Sequence, residues 1–88
     1  MCDPTYRQLS KLTFLVRSRF PNAMPDRYEP YPTPNGGFIN VNMKSIDFTE
    51  WMLEHMTLHE ASRIITLFEN DEDEEAMRIL KKIYPALN

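Results

Sequence analysis

Eighty-eight residues, 42% hydrophobic and 26% charged, describe one ordinary globular domain over 1–88 and leave no room for a substrate domain beside a cofactor domain. A chain of this size buries roughly 60–65% of the surface its unfolded form exposes, enough for one modest core and against global disorder. The net charge of −3 is uneven, with Arg7, Lys11, Arg17 and Arg19 against Asp3 in the first twenty residues and nine acids against four cations in residues 48–88, which excludes a general polyanion binder but lets the N-terminal segment face an acidic surface or be neutralised within the fold.

Cys2 is the one cysteine, so no intrachain disulfide and no cysteine-based zinc or redox site can form, and a reducing compartment fits. The longest apolar run, Phe14-Leu15-Val16, is too short for a membrane span or a signal-peptide core. The expected location is the cytoplasm, with no membrane partner.

Asp3-Pro4 reads as a helix opening, with the aspartate as N-cap and the proline at the first helical position. Leu9, Leu12, Thr13, Val16 and Phe20 then gather on one side of a 3.6-residue wheel, with Tyr6 at its edge, and Pro21 ends the helix by pushing Phe20 out of the helical region. Five of the seven prolines fall between Pro21 and Pro34. So dense a run predicts an extended loop over 21–37, in which Arg27-Tyr28-Glu29 forms a short edge strand limited by Pro30. After the turn at Asn35-Gly36-Gly37, the alternation of Ile39, Val41 and Met43 with Asn40 and Asn42 predicts a half-buried strand over Phe38–Met43, and hence a small β-hairpin.

Three short helices follow, each with its own start signal. Asp47 with Glu50 and Thr57 with Glu60 are capping-box spacings, while Asn70 and Asp71 ahead of further acids combine a cap with negative charge at a helix N-terminus. The predicted spans are about Phe48–Met56, Leu58–Glu69 and Glu72–Tyr84, too closely joined to lie as a long bundle. Trp51 is expected to be largely buried beside Phe48, His55 to lie on the apolar side of its helix, and Glu74 to pair with Arg78 at i,i+4. The fold class is α+β, mainly α: an N-terminal helix (1–20), a proline-rich loop with a hairpin (21–44) and a compact three-helix array (45–88).

Chemistry-bearing constellations are weak throughout. His55 and His59 share a metal-pair spacing, but Thr57, a helix start, falls between them. Asp71, Asp73 and Glu75 echo a calcium loop that lacks its glycine and carries Lys82 where a glutamate is required. No nucleophile elbow or glycine-rich phosphate loop occurs, so no catalytic residue, no metal and no cofactor is assigned, and the chain reads as a non-enzyme. A helix-turn-helix would read through His59, Ser62, Arg63 and Thr66, with one certain positive charge where phosphate contacts need several.

Two surfaces rise above these. The first helix has a back face of Arg7, Ser10, Lys11, Phe14, Arg17 and Ser18, an aromatic anchor ringed by cations in the manner of an interface hot spot; the alternative is that the proline-rich loop covers Phe14 with Tyr28 and Tyr31. The second is the loop itself, where those two tyrosines and the nearby prolines offer an extended segment to a partner. An acidic patch of Asp71, Glu72, Asp73, Glu74 and Glu75 is a third candidate, against a purely dipolar role. The functional expectation is a small protein-binding module, an inhibitor or adaptor occupying a surface of a larger protein, as small accessory proteins of bacteria and phages often are. The alternative is a nucleic-acid-binding regulator using the basic face of the first helix. Because the Phe38–Met43 strand has few partners, a homodimer through its edge is also expected.

Overall fold

The computed structural model describes residues 2–88. Six elements follow in the order α1 (Tyr6–Arg19), β1 (Tyr28–Pro32), β2 (Phe38–Asn42), α2 (Lys44–His55), α3 (Leu58–Glu69) and α4 (Asp73–Ile83). This is the expected α+β, mainly helical arrangement, with the hairpin inserted between the first helix and the other three.

Helix α1 opens two residues later than Asp3-Pro4 suggests. The cap is Thr5, whose hydroxyl accepts from the Gln8 N–H while the Gln8 side chain accepts from the Thr5 N–H. Glutamine serves that reciprocal box as well as glutamate does, and Pro4 is buried ahead of it. The other end is as expected: Phe20 closes the helix and its N–H donates to the Val16 carbonyl. Leu9, Leu12 and Val16 are fully enclosed, whereas Tyr6 stands in solvent.

The last three helices do not make the core by themselves. Helix α1 packs on both α2 and α3, and α3 packs on α1 and α4, so α1 and α3 form the centre and the array is four-helical. Ala61, Ile64, Ile65 and Phe68 of α3 meet Leu9, Leu12 and Val16 on one side and Ala76, Met77 and Leu80 of α4 on the other. Met24, Met52 and Met56 fill the remaining gaps, a role suited to an unbranched side chain. Chain ends tie the body together: the Leu58 N–H, one of the unpartnered donors at the start of α3, reaches the Cys2 carbonyl at 3.0 Å, and the Asn88 N–H reaches the Ala23 carbonyl at 2.8 Å.

Two of the three C-terminal caps differ from expectation. The Thr57–Glu60 box forms as predicted. Helix α2, however, begins at Lys44 after Met43, whose side chain offers no cap, and the Asn42 side chain accepts from the Lys44 N–H at 3.1 Å. Asp47 lies inside the helix and is gripped by Arg27 through Nε at 2.7 Å and a second guanidinium nitrogen at 2.6 Å. Helix α4 begins at Asp73, also without a side-chain cap. Asn70 and Asp71 instead terminate α3: Asp71 takes the left-handed conformation (φ 59°), its N–H donates to the Phe68 carbonyl, and the Glu72 N–H donates to the Leu67 carbonyl at 2.8 Å. That pair of bonds is the Schellman arrangement, with aspartate in the position glycine usually fills.

The hairpin pairs Tyr28 with Asn42 through Pro32 with Phe38, antiparallel, so β1 runs through Pro30 and does not stop before it. Its expected half-buried face is confined to the root, where Val41 is half-buried. Phe38, Ile39, Tyr28 and Tyr31 are exposed and only Met43, at the root, is buried. The hairpin stands off the helices as an arm, in keeping with overall extents of 46 × 27 × 20 Å. The Arg27–Asp47 clamp, the Met43 N–H to Arg27 carbonyl bond at 2.6 Å and the Asn42 Nδ2 to Asp26 bond at 2.8 Å hold its base.

Candidate functional site: a groove between α1 and α2

Phe14 is 68% exposed, so the loop does not cover it and its tyrosines lie on the arm instead. Beside it runs a groove of about 540 Å³ lined by Ser10, Thr13, Phe14, Arg17, Ser18, Ser45 and Thr49. Its floor is made of hydroxyl side chains where the two helices approach. Thr13 and Thr49 meet at 3.5 Å, and the Thr49 hydroxyl also donates to the Ser45 carbonyl at 2.8 Å. Small side chains here let the helix backbones come close and leave the larger residues as walls. The groove continues along α2 past Ile46 and Leu53 to Tyr6. Tyr6, at 79% exposed, and Ile46, at 44%, stand on opposite sides of that extension. From Tyr6 to Arg17 along α1 the surface spans about 16 Å at 1.5 Å per residue.

Of the cations assigned to this face, two have no carboxylate partner among the described residues. Lys11 is turned to α3, where its Nζ meets Glu69 at 2.9 Å. Arg17 reaches the Ser45 hydroxyl at 3.2 Å and so is aimed across the groove mouth. Arg7 is exposed two turns before Phe14. Arg19, further along, is spent within the body: one guanidinium nitrogen donates to the Phe68 carbonyl at 2.7 Å and to Asp73 at 2.6 Å. The two oppositely charged halves of the chain are thus partly neutralised inside the fold.

The acidic run divides in the same way. Asp71 serves the turn, Asp73 holds Arg19, and Glu75 rather than Glu74 pairs with Arg78, lowering the Glu75 pKa and raising that of the guanidinium through their hydrogen bonds. Glu72 and Glu74 remain exposed. At the arm's base the Asp47 pKa is lowered, chiefly by its hydrogen bonds to Arg27. Asp26 is lowered chiefly by Asn42, then by Lys44.

Trp51 departs from expectation. It is 38% exposed at the rim, with its indole N–H donating to the Ile83 carbonyl at 2.6 Å and its ring against His55 and Tyr84, at centroid separations of 4.2 and 5.6 Å. His55 is accordingly a surface residue stacked on tryptophan, not a core histidine. Burial, then the nearby Asp47 charge, raises the Tyr84 phenol pKa. Among the described residues no group of three potential ligands is placed to hold a metal ion, and no helix is long and apolar enough to cross a membrane.

The site therefore consists of an exposed aromatic–aliphatic wall over a hydroxyl floor, with Arg7 and Arg17 beside it. Sequence reasoning found Phe14, Arg7 and Arg17 but missed the contribution of α2. The available signal was the Ser45–Thr49 spacing, two small hydroxyls one turn apart on a helix whose other residues are large. No family model matches the chain, and neither a curated protein nor a solved structure matches it.

Proposed function

We propose that this protein is a non-enzymatic protein-binding module, an inhibitor or adaptor working in the cytoplasm, whose main docking surface is the α1–α2 groove. The exposure of Phe14 beside a groove with a polar floor carries the reading. An apolar side chain of that size, left in water with cations next to it, is the construction of an interface anchor. The partner that fits is an amphipathic segment with an apolar ridge for Tyr6, Phe14 and Ile46 and acidic residues for Arg7 and Arg17. Binding by occupancy needs no catalytic group. The proline-rich hairpin arm is the second surface of the same reading, open to self-association.

The test compares variants of the full chain as bait in extracts. A partner retained by the parent and by Tyr31→Ala, but lost with Phe14→Ala and with the charge reversal Arg17→Glu, supports the groove. Loss of Phe14 should cost on the order of 2 kcal/mol or more in binding. A partner indifferent to both groove substitutions removes the groove from the account. Nucleic acid, recognised by nuclease sensitivity and a steep fall with salt, would favour the regulator reading that rests on the basic face of α1.

A further inference from the structure

The two edges of the hairpin are not equivalent. Flanking the strands, the Met43 N–H bonds the Arg27 carbonyl at 2.6 Å and the Thr33 N–H bonds the Gly37 carbonyl at 2.8 Å. Bonded and non-bonded pairs alternate in an antiparallel ladder. With the observed register, Glu29–Val41 and Tyr31–Ile39 are then the bonded pairs, and Tyr28, Pro30 and Pro32 on β1 and Phe38, Asn40 and Asn42 on β2 turn their backbone groups outward. Both prolines of β1 thus occupy positions whose N–H would face away from the sheet. They cost the hairpin no internal bond, and they strip the outer edge of β1 of all but one donor. The outer edge of β2 keeps every donor and acceptor.

That open edge is also uncharged from Phe38 to Asn42, in a chain whose residues are 26% charged. Lysine, proline or a bulge would ordinarily blunt such an edge, and here only the opposite edge is blunted. Phe38 is 71% and Ile39 56% exposed beside it.

We propose that a second copy of this chain pairs along β2, antiparallel and centred on Asn40, joining two hairpins into one four-stranded sheet. In that register each outward N–H of β2 meets a carbonyl of the other copy. Asn40 lies opposite Asn40 of the second copy, and Phe38 opposite its Asn42. On the other face Ile39 lies opposite Val41, and each Ile39–Val41 pair is flanked by Tyr31 beside Ile39 and by Glu29 beside Val41. Like charges meet nowhere on the axis. A two-stranded hairpin alone is marginal in water and three or more strands are not, which supplies the drive. The pairing joins one five-residue strand from each copy, so the dimer dissociates on dilution. This inference rests on the self-association reading of the arm but not on the groove, and Phe14→Ala separates the two by leaving the dimer intact.

Sedimentation of the full chain from micromolar to millimolar concentration tests it. The expected result is a monomer–dimer equilibrium that Asn40→Pro abolishes, because it removes an outward donor while keeping the internal ladder, and that Asn40→Lys abolishes by setting two cations on the axis. Helical circular dichroism should be unchanged in both. In the unsubstituted chain, the Phe38 and Asn40 amides should become protected from hydrogen exchange as concentration rises. A parent that stays monomeric throughout, a dimer that survives both substitutions, or Phe38 and Asn40 amides indifferent to concentration would overturn the pairing.

Discussion

In the helical body Phe48, Phe68, Leu9, Leu12 and Leu80 are fully enclosed, whereas in the arm Phe38, Ile39, Tyr28 and Tyr31 stand in water. The body spends its apolar residues on its own stability. The arm is held by polar contacts at its base, with Arg27 gripping Asp47 and Asn42 bonding Asp26. Local stability should follow that division, with the body opening only globally and the arm opening at low cost. What cannot be explained as core is concentrated in two places, the arm and the α1–α2 groove.

The largest expected contrast comes from truncation. Phe68→Ala in the body should cost about 3–5 kcal/mol, while Tyr31→Ala in the arm should stay within about 0.5 kcal/mol of the parent. Urea titration followed by circular dichroism reads both, and similar losses at the two sites would erase the division. A smaller effect belongs to the rim of the body. Trp51→Phe keeps most of the ring contact with Tyr84 but loses the hydrogen bond to the Ile83 carbonyl, so about 0.5–1.5 kcal/mol should disappear.

Acidification should separate the arm from the body by a different route. The Asp47 pKa is lowered by Arg27 on folding, so the stabilisation it gives is fully present above the unfolded carboxylate pKa and is lost as pH falls through the lower folded value. Asp26, lowered by Asn42, acts in the same sense. Below about pH 4 the arm should therefore loosen before the body. Chemical shifts of Tyr28–Asn42 followed by nuclear magnetic resonance should move while those of α3 stay, and Asp47→Asn should remove part of that response.

Elements whose signals are local were legible in the sequence. Thr57 and Glu60 lie three residues apart and cap α3 as they read, and Pro21 stops α1 where a proline must. Helix α2 was misplaced at its start: it begins at Lys44, and Asp47, inside it, bonds a guanidinium twenty residues earlier, a partner no local window contains. The strand at Phe38 was found by alternation, but alternation does not say whether a body lies beneath it, and here none does for Ile39. Trp51 reads as core from its place on the apolar side of α2 beside Phe48, although its N–H finds the Ile83 carbonyl only at the rim. Within the candidate site, Phe14 was visible as an apolar residue on the wrong face of an amphipathic helix. Ile46 was not, and the Ser45–Thr49 spacing gains its meaning only through the packing of α2 on α1.

Phe14 belongs to a surface and not to the core, and the unfolding free energy of Phe14→Ala against the parent tests this. With the side chain 68% exposed, the stabilities should agree within about 0.5 kcal/mol. A loss of roughly 3–5 kcal/mol, the signature of a cavity opened in a packed interior, would contradict the account and return this face of α1 to the core.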